Sequence, residues 1–345
     1  MNRRIEGKTM GMERGKVKFA VVGCGGISFS HFIGIERAPE AELAAVCDAN
    51  ESRAEEYGSK YGVKAYTDYG KLLADPNVET VCLCTPSGMH AEQTIQAAEA
   101  GKHVIVEKPM AISLSDADRM IEACEVMGVK LATIFPRRMS PASQFVKKLL
   151  DEGKLGRLSL CTGYVKFYRD QAYYDSAGWR GTWAMDGGGA MMNQGIHTID
   201  LLQWLAGPVE TLHGYARNIL RDIEVEDTAV VSMQFKNGAL GSIEATTTAY
   251  KQPDHRIVIH GDKGTIELTG DEITALDVIG ETVHIPAFEP FSVVPDGHAA
   301  QIRDMALAIR EDRPPVVTGH DGKRSLGIIL GSYESQRSHR EIILM

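Results

Sequence analysis

The chain has 345 residues, 43% hydrophobic and 24% charged, enough for two domains with a packed core. Its formal net charge of -9 argues against nucleic acid or an anionic membrane surface as the main partner. No run reaches transmembrane length, and Met1 to Lys16 is polar and basic without the apolar stretch of a signal peptide, so residues 1–15 are expected as a flexible tail on a cytoplasmic protein.

Six cysteines (Cys24, Cys47, Cys82, Cys84, Cys124, Cys161) show no metal-ligand spacing and no paired histidines. This argues against a zinc site, so no metal is expected, and it fits free thiols in a reducing compartment.

In chain order, the apolar run Lys16–Val22 ends in Gly23-Cys-Gly-Gly-Ile-Ser28, and a helical pattern through Phe32 and Ile35 stops at Ala38-Pro39. A strand over Ala41–Cys47 closes on Asp48, and Arg53–Tyr61 reads as a helix ended by Gly62. Val78–Cys84 and His103–Val106 are continuous apolar strands separated by a helix over His90–Ala100. A capping box at Ser113 starts a helix to Met127, and Lys130–Phe135 is a further strand. Strands without alternation, each followed by a helix, predict a doubly wound parallel sheet covered on both faces.

After Pro136 the pattern changes. A helix over Ala142–Leu150 precedes alternating strands at 158–166, 209–217, 228–235, 239–248, 255–261 and 264–268. Asn237-Gly238 and Asp262-Lys-Gly264 are hairpin signals. The expected architecture is therefore α/β: an N-terminal Rossmann domain over 16–137 and a C-terminal α+β domain over 138–345. The second domain carries an open-faced, mostly antiparallel sheet, whose free face is expected to form a homo-oligomer. Helices are predicted over 298–310 and 322–338, the latter with the option of packing back on the Rossmann domain.

Gly23-x-Gly25-Gly26-Ile27-Ser28 follows a strand and opens a helix, the setting of a dinucleotide fingerprint with Ser28 in place of its last glycine. Asp48 ends the second strand about twenty residues on, where a carboxylate accepts from both ribose hydroxyls and repels a 2′-phosphate. The cofactor is therefore expected to be NAD rather than NADP, with Arg53 close enough to take part. The strand ends Thr85-Pro86…His90 and Glu107-Lys108-Pro109 lie at the carboxyl edge of the same sheet, where such folds bind ligands.

In Gly187-Gly-Gly-Ala-Met-Met-Asn193-Gln-Gly-Ile-His197-Thr-Ile-Asp200, three glycines lead into an apolar-periodic helix. Asn193, His197 and Asp200 share one stripe of that helix. Arg137 and Arg138 follow the fifth strand, one suited to a substrate carboxylate or phosphate and the other to a salt bridge.

In this order, the motifs resemble the Gfo/Idh/MocA oxidoreductases, from Val17 to Leu344. The resemblance implies NAD(P), sugar or polyol substrates, and Lys108 and His197 flanking the reacting carbon. The family pattern usually has aspartate four residues before the histidine, where this chain has Asn193. Tyr173-Tyr174 and Gly178-Trp179-Arg180-Gly-Thr-Trp183 resemble the branch acting on glycosides and nucleotide sugars, often at C3. Tyr174, Trp179, Arg180, Arg138 and Asn193 are thus expected to meet substrate.

The expected reaction is hydride transfer from a secondary alcohol, with neutral His197 as base and Lys108 stabilising the alkoxide. A redox-neutral NAD-dependent glycosidase and a cofactor-binding regulator without turnover stand as alternatives.

Overall fold

The structure, a computed structural model, describes residues 15–251 and 255–344; the expected N-terminal tail lies outside them, apart from Gly15. Six parallel strands form the first sheet: β1 (Val17–Val22), β2 (Ala41–Cys47), β3 (Lys64–Tyr66), β4 (Thr80–Leu83), β5 (His103–Val106) and β6 (Leu131–Thr133). Their order, β3-β2-β1-β4-β5-β6, reverses at β1, which places a crevice beside its carboxyl end. β4 and β6 are buried along their whole length, as the unbroken apolar runs require.

Helices α1 (Ser28–Arg37), α2 (Glu51–Tyr61), α3 (Tyr69–Leu73), α4 (His90–Glu99) and α5 (Leu114–Val126) connect these strands. β3 escaped the sequence reading because it is a three-residue edge strand with Lys64 and Ala65 exposed, leaving no apolar run to read.

The second sheet takes α6 (Pro141–Asp151), β7 (Leu158–Lys166), α7 (Gln171–Asp175) and α8 (Ile196–Ala206) ahead of the strands β8 (Val209–Arg217), β9 (Thr228–Phe235), β10 (Leu240–Thr246), β11 (His255–Gly261), β12 (Gly264–Thr269) and β13 (Glu272–Val278). After these come α9 (His298–Glu311), α10 (Gly319–Ser338) and the short β14 (Ile342–Ile343). The strand order is β13-β12-β11-β7-β10-β9-β8-β14, antiparallel throughout except for the parallel pair β7–β10. α8 and α10 cover one face of this sheet. On the other, two separate cross-strand pairs are exposed, Tyr215 with Val230 and Leu240 with Leu160.

The chain crosses back after position 138. α9 packs on α1, with Ile302 against Gly34, and α10 packs on β8 as well as α5. Gly319 and Gly322 let α10 approach β6, since a Cβ at either would fall within 3 Å of Leu131 or Thr133. The two sheets are therefore joined by helices late in the sequence.

Candidate active site

The register of the parallel sheet assembles the site. Val22 is level with Cys47 and Leu83, Leu83 with Val106, and Val106 with Thr133. Gly23, Asp48, Thr85 and Lys108 therefore emerge along one edge, into a cleft of about 730 Å³.

At the cofactor end, Gly23 has φ +88°, and a Cβ there would sit 3.0 Å from the backbone of Cys84 and Thr85. Gly25 and Gly26 line the cleft, and a Cβ on either would meet nothing within 4 Å. That open space beside the α1 N-terminus is the room a pyrophosphate needs. Ser28, at the last fingerprint position, is fully buried, and its hydroxyl donates to Gly25 O at 2.7 Å.

Asp48 accepts from the backbone N–H of Cys24 and of Asn50, which fixes its carboxylate at the cleft wall. Arg53 lies 3.5 Å from Asp48 Oδ2, and it lines the cleft with Ile27, Thr85 and Pro86. These residues fit a dinucleotide with free ribose hydroxyls.

His90 corrects the sequence expectation. It is 1% exposed, with one ring nitrogen against Pro109 O at 2.9 Å and the other against Thr85 O at 2.8 Å. It ties two site loops together and leaves no nitrogen for a cofactor.

Glu107 is also turned inward. Its Oε1 lies 2.9 Å from His31 Nε2 and 3.3 Å from His298 Nε2, and its Oε2 accepts from Lys108 N. Burial would raise its pKa, but bonds from the two histidines hold it well below the usual carboxylate range. This His–Glu–His group joins α1, β5 and α9 as a buried hydrogen-bonded brace, and it fixes the backbone that carries Lys108. Neither histidine stood out in the sequence.

Lys108 Nζ donates to Asn193 O at 3.1 Å and Oδ1 at 3.4 Å. Burial pushes its pKa down; Glu107 and Asp186 pull it up, and Arg180 pushes it down again. Asn193 belongs to a wide π-helical turn, Ala190–Gly195, that precedes α8, so the stretch is not one continuous helix. The expected stripe splits accordingly: Asn193 meets Lys108, whereas Asp200 meets Arg138.

His197 stands one turn beyond Asn193, half-buried and edge-on to Phe135. It lies outside the wall of the cofactor cleft, and its Nδ1 is buried without a partner among the described residues. Burial first, then the nearby charge of Lys108, hold its pKa well below the ordinary value, so the ring is neutral.

On the substrate side, the Arg180 guanidinium lies 4.7 Å from the Trp179 ring and 4.6 Å from the Tyr173 ring. Trp179 and Arg180 line the cleft. Two expectations fail. Tyr174 is 6% exposed and its hydroxyl pairs with Thr247, so Tyr173 is the tyrosine that meets Arg180. Arg138 is 3% exposed and bonded to Asp200 at 2.6 and 2.7 Å, with Asp321 at 3.2 Å. Burial at the domain junction makes it an internal ion pair, out of reach of substrate.

Sequence reasoning also missed Asp186, which lines the cleft and accepts from Asn193 Nδ2 at 3.2 Å. Its position directly before three glycines was the available signal.

Residues 17–135 match the oxidoreductase family with an NAD-binding Rossmann fold, and residues 143–267 match the GFO/IDH/MocA C-terminal domain. The chain is 30% identical to myo-inositol 2-dehydrogenase of Thermotoga maritima over 94% of this chain and 97% of that one. It is 28% identical to scyllo-inositol 2-dehydrogenase (NAD(+)) of Bacillus subtilis, covering 94% and 95% of the two chains. Among solved structures, the WlbA dehydrogenase from Bordetella pertussis, in complex with NADH and UDP-GlcNAcA, superposes with a TM-score of 0.87 at 37% identity, covering 96% of this chain and 99% of that one.

The protein belongs to the Gfo/Idh/MocA oxidoreductase family. It is an NAD-binding sugar or polyol oxidoreductase.

Proposed function

We propose that the protein oxidises a ring secondary alcohol, at C3, of an anionic sugar, and that a nucleotide-linked hexose is the first substrate to try. The observation that carries this is Lys108 Nζ held against Asn193 beside His197, at the end of the cofactor cleft. Bound NAD supplies the hydride acceptor. The substrate loses a hydride from carbon and a proton from its hydroxyl, and His197 takes the proton through Nε2, since Nδ1 is buried. The Lys108 ammonium faces the developing alkoxide and stabilises it while water is excluded.

The preference for an anion rests on Arg169 and Arg180. Both guanidiniums lie on Tyr173, both have a buried Nε–H without a partner, and neither pairs with a carboxylate among the described residues. The UDP-GlcNAcA complex of the WlbA relative supports the same choice.

The test is a panel of inositols, hexoses, uronic acids and nucleotide sugars, scored by NADH absorbance. Glycoside cleavage without net NADH would establish the redox-neutral glycosidase instead. NAD binding with no turnover across the panel would establish a regulator.

A second assignment of the base follows from the suppressed basicity of His197. Lys108, itself lowered by burial, takes the proton in its neutral form. With a His197 base, activity is lost as pH rises through the Lys108 pKa; with a Lys108 base it is gained there.

Two exposed apolar pairs on the open sheet face, Tyr215 with Val230 and Leu160 with Leu240, further support self-association through that face, as a dimer or tetramer. Sedimentation of Val230→Lys against the parent chain tests it: unchanged assembly sinks this reading.

A further inference from the structure

Lys108 is placed among several groups. Glu107 precedes it in the chain, His90 and His197 stand close by, Arg180 faces it across the cleft, and Asp186 lies behind Asn193. Two of these are carboxylates, and they are not equivalent. Glu107 is occupied by His31, His298 and its own backbone neighbour. Asp186 is 4% exposed, with Oδ2 accepting from Gly181 N at 2.9 Å and Oδ1 accepting from Asn193 Nδ2 at 3.2 Å. It forms no ion pair among the described residues, and the cleft is its open side.

The chain Asp186 Oδ1···H–Nδ2 Asn193 Oδ1···H–Nζ Lys108 is thus continuous, with a carboxylate at one end and an amine at the other. We propose that Asp186 is a positioning residue: it supplies Lys108 with the negative charge that position 193 lacks, and Asn193 transmits it. An amide polarised by a carboxylate on its N–H side is a stronger acceptor on its oxygen side. The carboxylate sits one hydrogen bond further from the amine than a direct pair would put it. The ammonium is therefore favoured without a contact ion pair that would immobilise it.

Burial raises the Asp186 pKa while Gly181, Lys108, Arg180 and Asn193 oppose the rise, in keeping with a carboxylate whose charge depends on this set of partners.

The kinetic consequence rests on the dehydrogenase reading, but the charge placement does not, so the experiment reads them separately. The full chain is labelled with [ε-13C]lysine, Lys108 is assigned by its absence in Lys108→Arg, and its resonance is titrated in the parent, Asp186→Asn, Asn193→Asp and the double variant. Losing an opposite charge at this range should lower the Lys108 pKa by about one unit in Asp186→Asn. Moving the charge to position 193 in the double variant should restore it. A Lys108 titration that ignores Asp186→Asn, or is not restored in the double variant, overturns the proposal.

If Asp186→Asn fails to fold, Asp186→Ser decides, since it keeps a short polar side chain without the charge: a lowered Lys108 pKa supports the proposal and an unmoved one overturns it. In the sugar assay, the pH at which activity changes should move with the same variants. Restored titration with no sugar oxidised would leave the charge placement standing and sink the dehydrogenase. Turnover with a Lys108 titration indifferent to Asp186 would do the reverse.

Discussion

Arg138 separates a structural role from a substrate role most sharply, and Arg138→Met is the perturbation. The guanidinium is 3% exposed and forks onto both oxygens of Asp200, itself 1% exposed, with a third contact to Asp321. Methionine keeps the apolar stem but leaves Asp200 buried with a single described side-chain partner, the Ser325 hydroxyl. Breaking a buried pair by removing one partner costs about 3–5 kcal/mol. For a chain of this length unfolding as one unit, an unfolding entropy of roughly 0.7 kcal/mol per kelvin converts that into a Tm lower by about 4–7 °C.

Differential scanning calorimetry measures the shift, and initial rates at saturating NAD measure KM. Substrate KM should stay within about twofold, because Arg138 lies outside the cleft. Arg138→Met/Asp200→Leu should recover most of the lost stability, because no unpaired charge remains. An unchanged Tm with a KM raised tenfold would refute the reasoning and return Arg138 to the substrate.

Lys108→Ala and His197→Ala should each lower kcat by roughly a hundredfold or more while sparing NAD affinity; near-normal turnover in His197→Ala removes it as the base. Asp48→Ala should weaken NAD and narrow its advantage over NADP, measured as the ratio of the two dissociation constants; an unaltered ratio takes Asp48 out of the site. Glu226 supplies a pH signature. Burial pushes its carboxyl up to about 7 while the Met191 and Gly189 amides hold it down. The native state then binds its proton more tightly than the unfolded chain, so stability falls as pH rises from about 4.3 to about 7 and this contribution levels off above that. Glu226→Gln should flatten the slope in chemical denaturation, and a slope that persists would count against this assignment.

The parallel half of the fold was legible because its physics is local. β2 and β5 have the predicted ends, since unbroken apolar runs bounded by glycine, aspartate or proline admit little else. What sequence could not show was partnership across the chain. Arg138 and Arg137 look alike after a strand, and only the arrival of Asp200, Asp321 and Asp271 assigns them to ion pairs. Tyr173 and Tyr174 are neighbours on a one-turn helix, and the packing of Thr247 decides which is buried. His31 and His298 lie far apart in sequence, and Glu107 alone relates them. Asn193 was legible as a departure from a family pattern, but its consequence was not: position 193 alone implies a missing charge, while the structure brings Asp186 to its amide.

The three glycines before Asn193 change meaning in the same way. Read along the chain, they clear a path into a helix beside a ligand. In the structure each admits a different neighbour. A Cβ at Gly187, where φ is +75°, would strike Ile112 of the Rossmann half at 2.6 Å. One at Gly188 would meet the Tyr333 hydroxyl of α10 at 2.3 Å, and one at Gly189 would fall 1.8 Å from Glu226 O beside the second sheet. None of the three lines the cleft. Both halves of the molecule and the C-terminal helix therefore close on this loop, which begins directly after Asp186 and ends four residues before Asn193. The distance between the Asp186–Asn193 pair and Lys108 is set by that convergence. A glycine-to-alanine change here should therefore disturb turnover through Lys108 while leaving the dinucleotide cradle, at the other end of the cleft, intact. Gly188→Ala is the mildest of the three, since its nearest obstacle is a side-chain hydroxyl, and it should lower kcat without weakening NAD; weakened NAD with normal kcat would contradict this account of the loop.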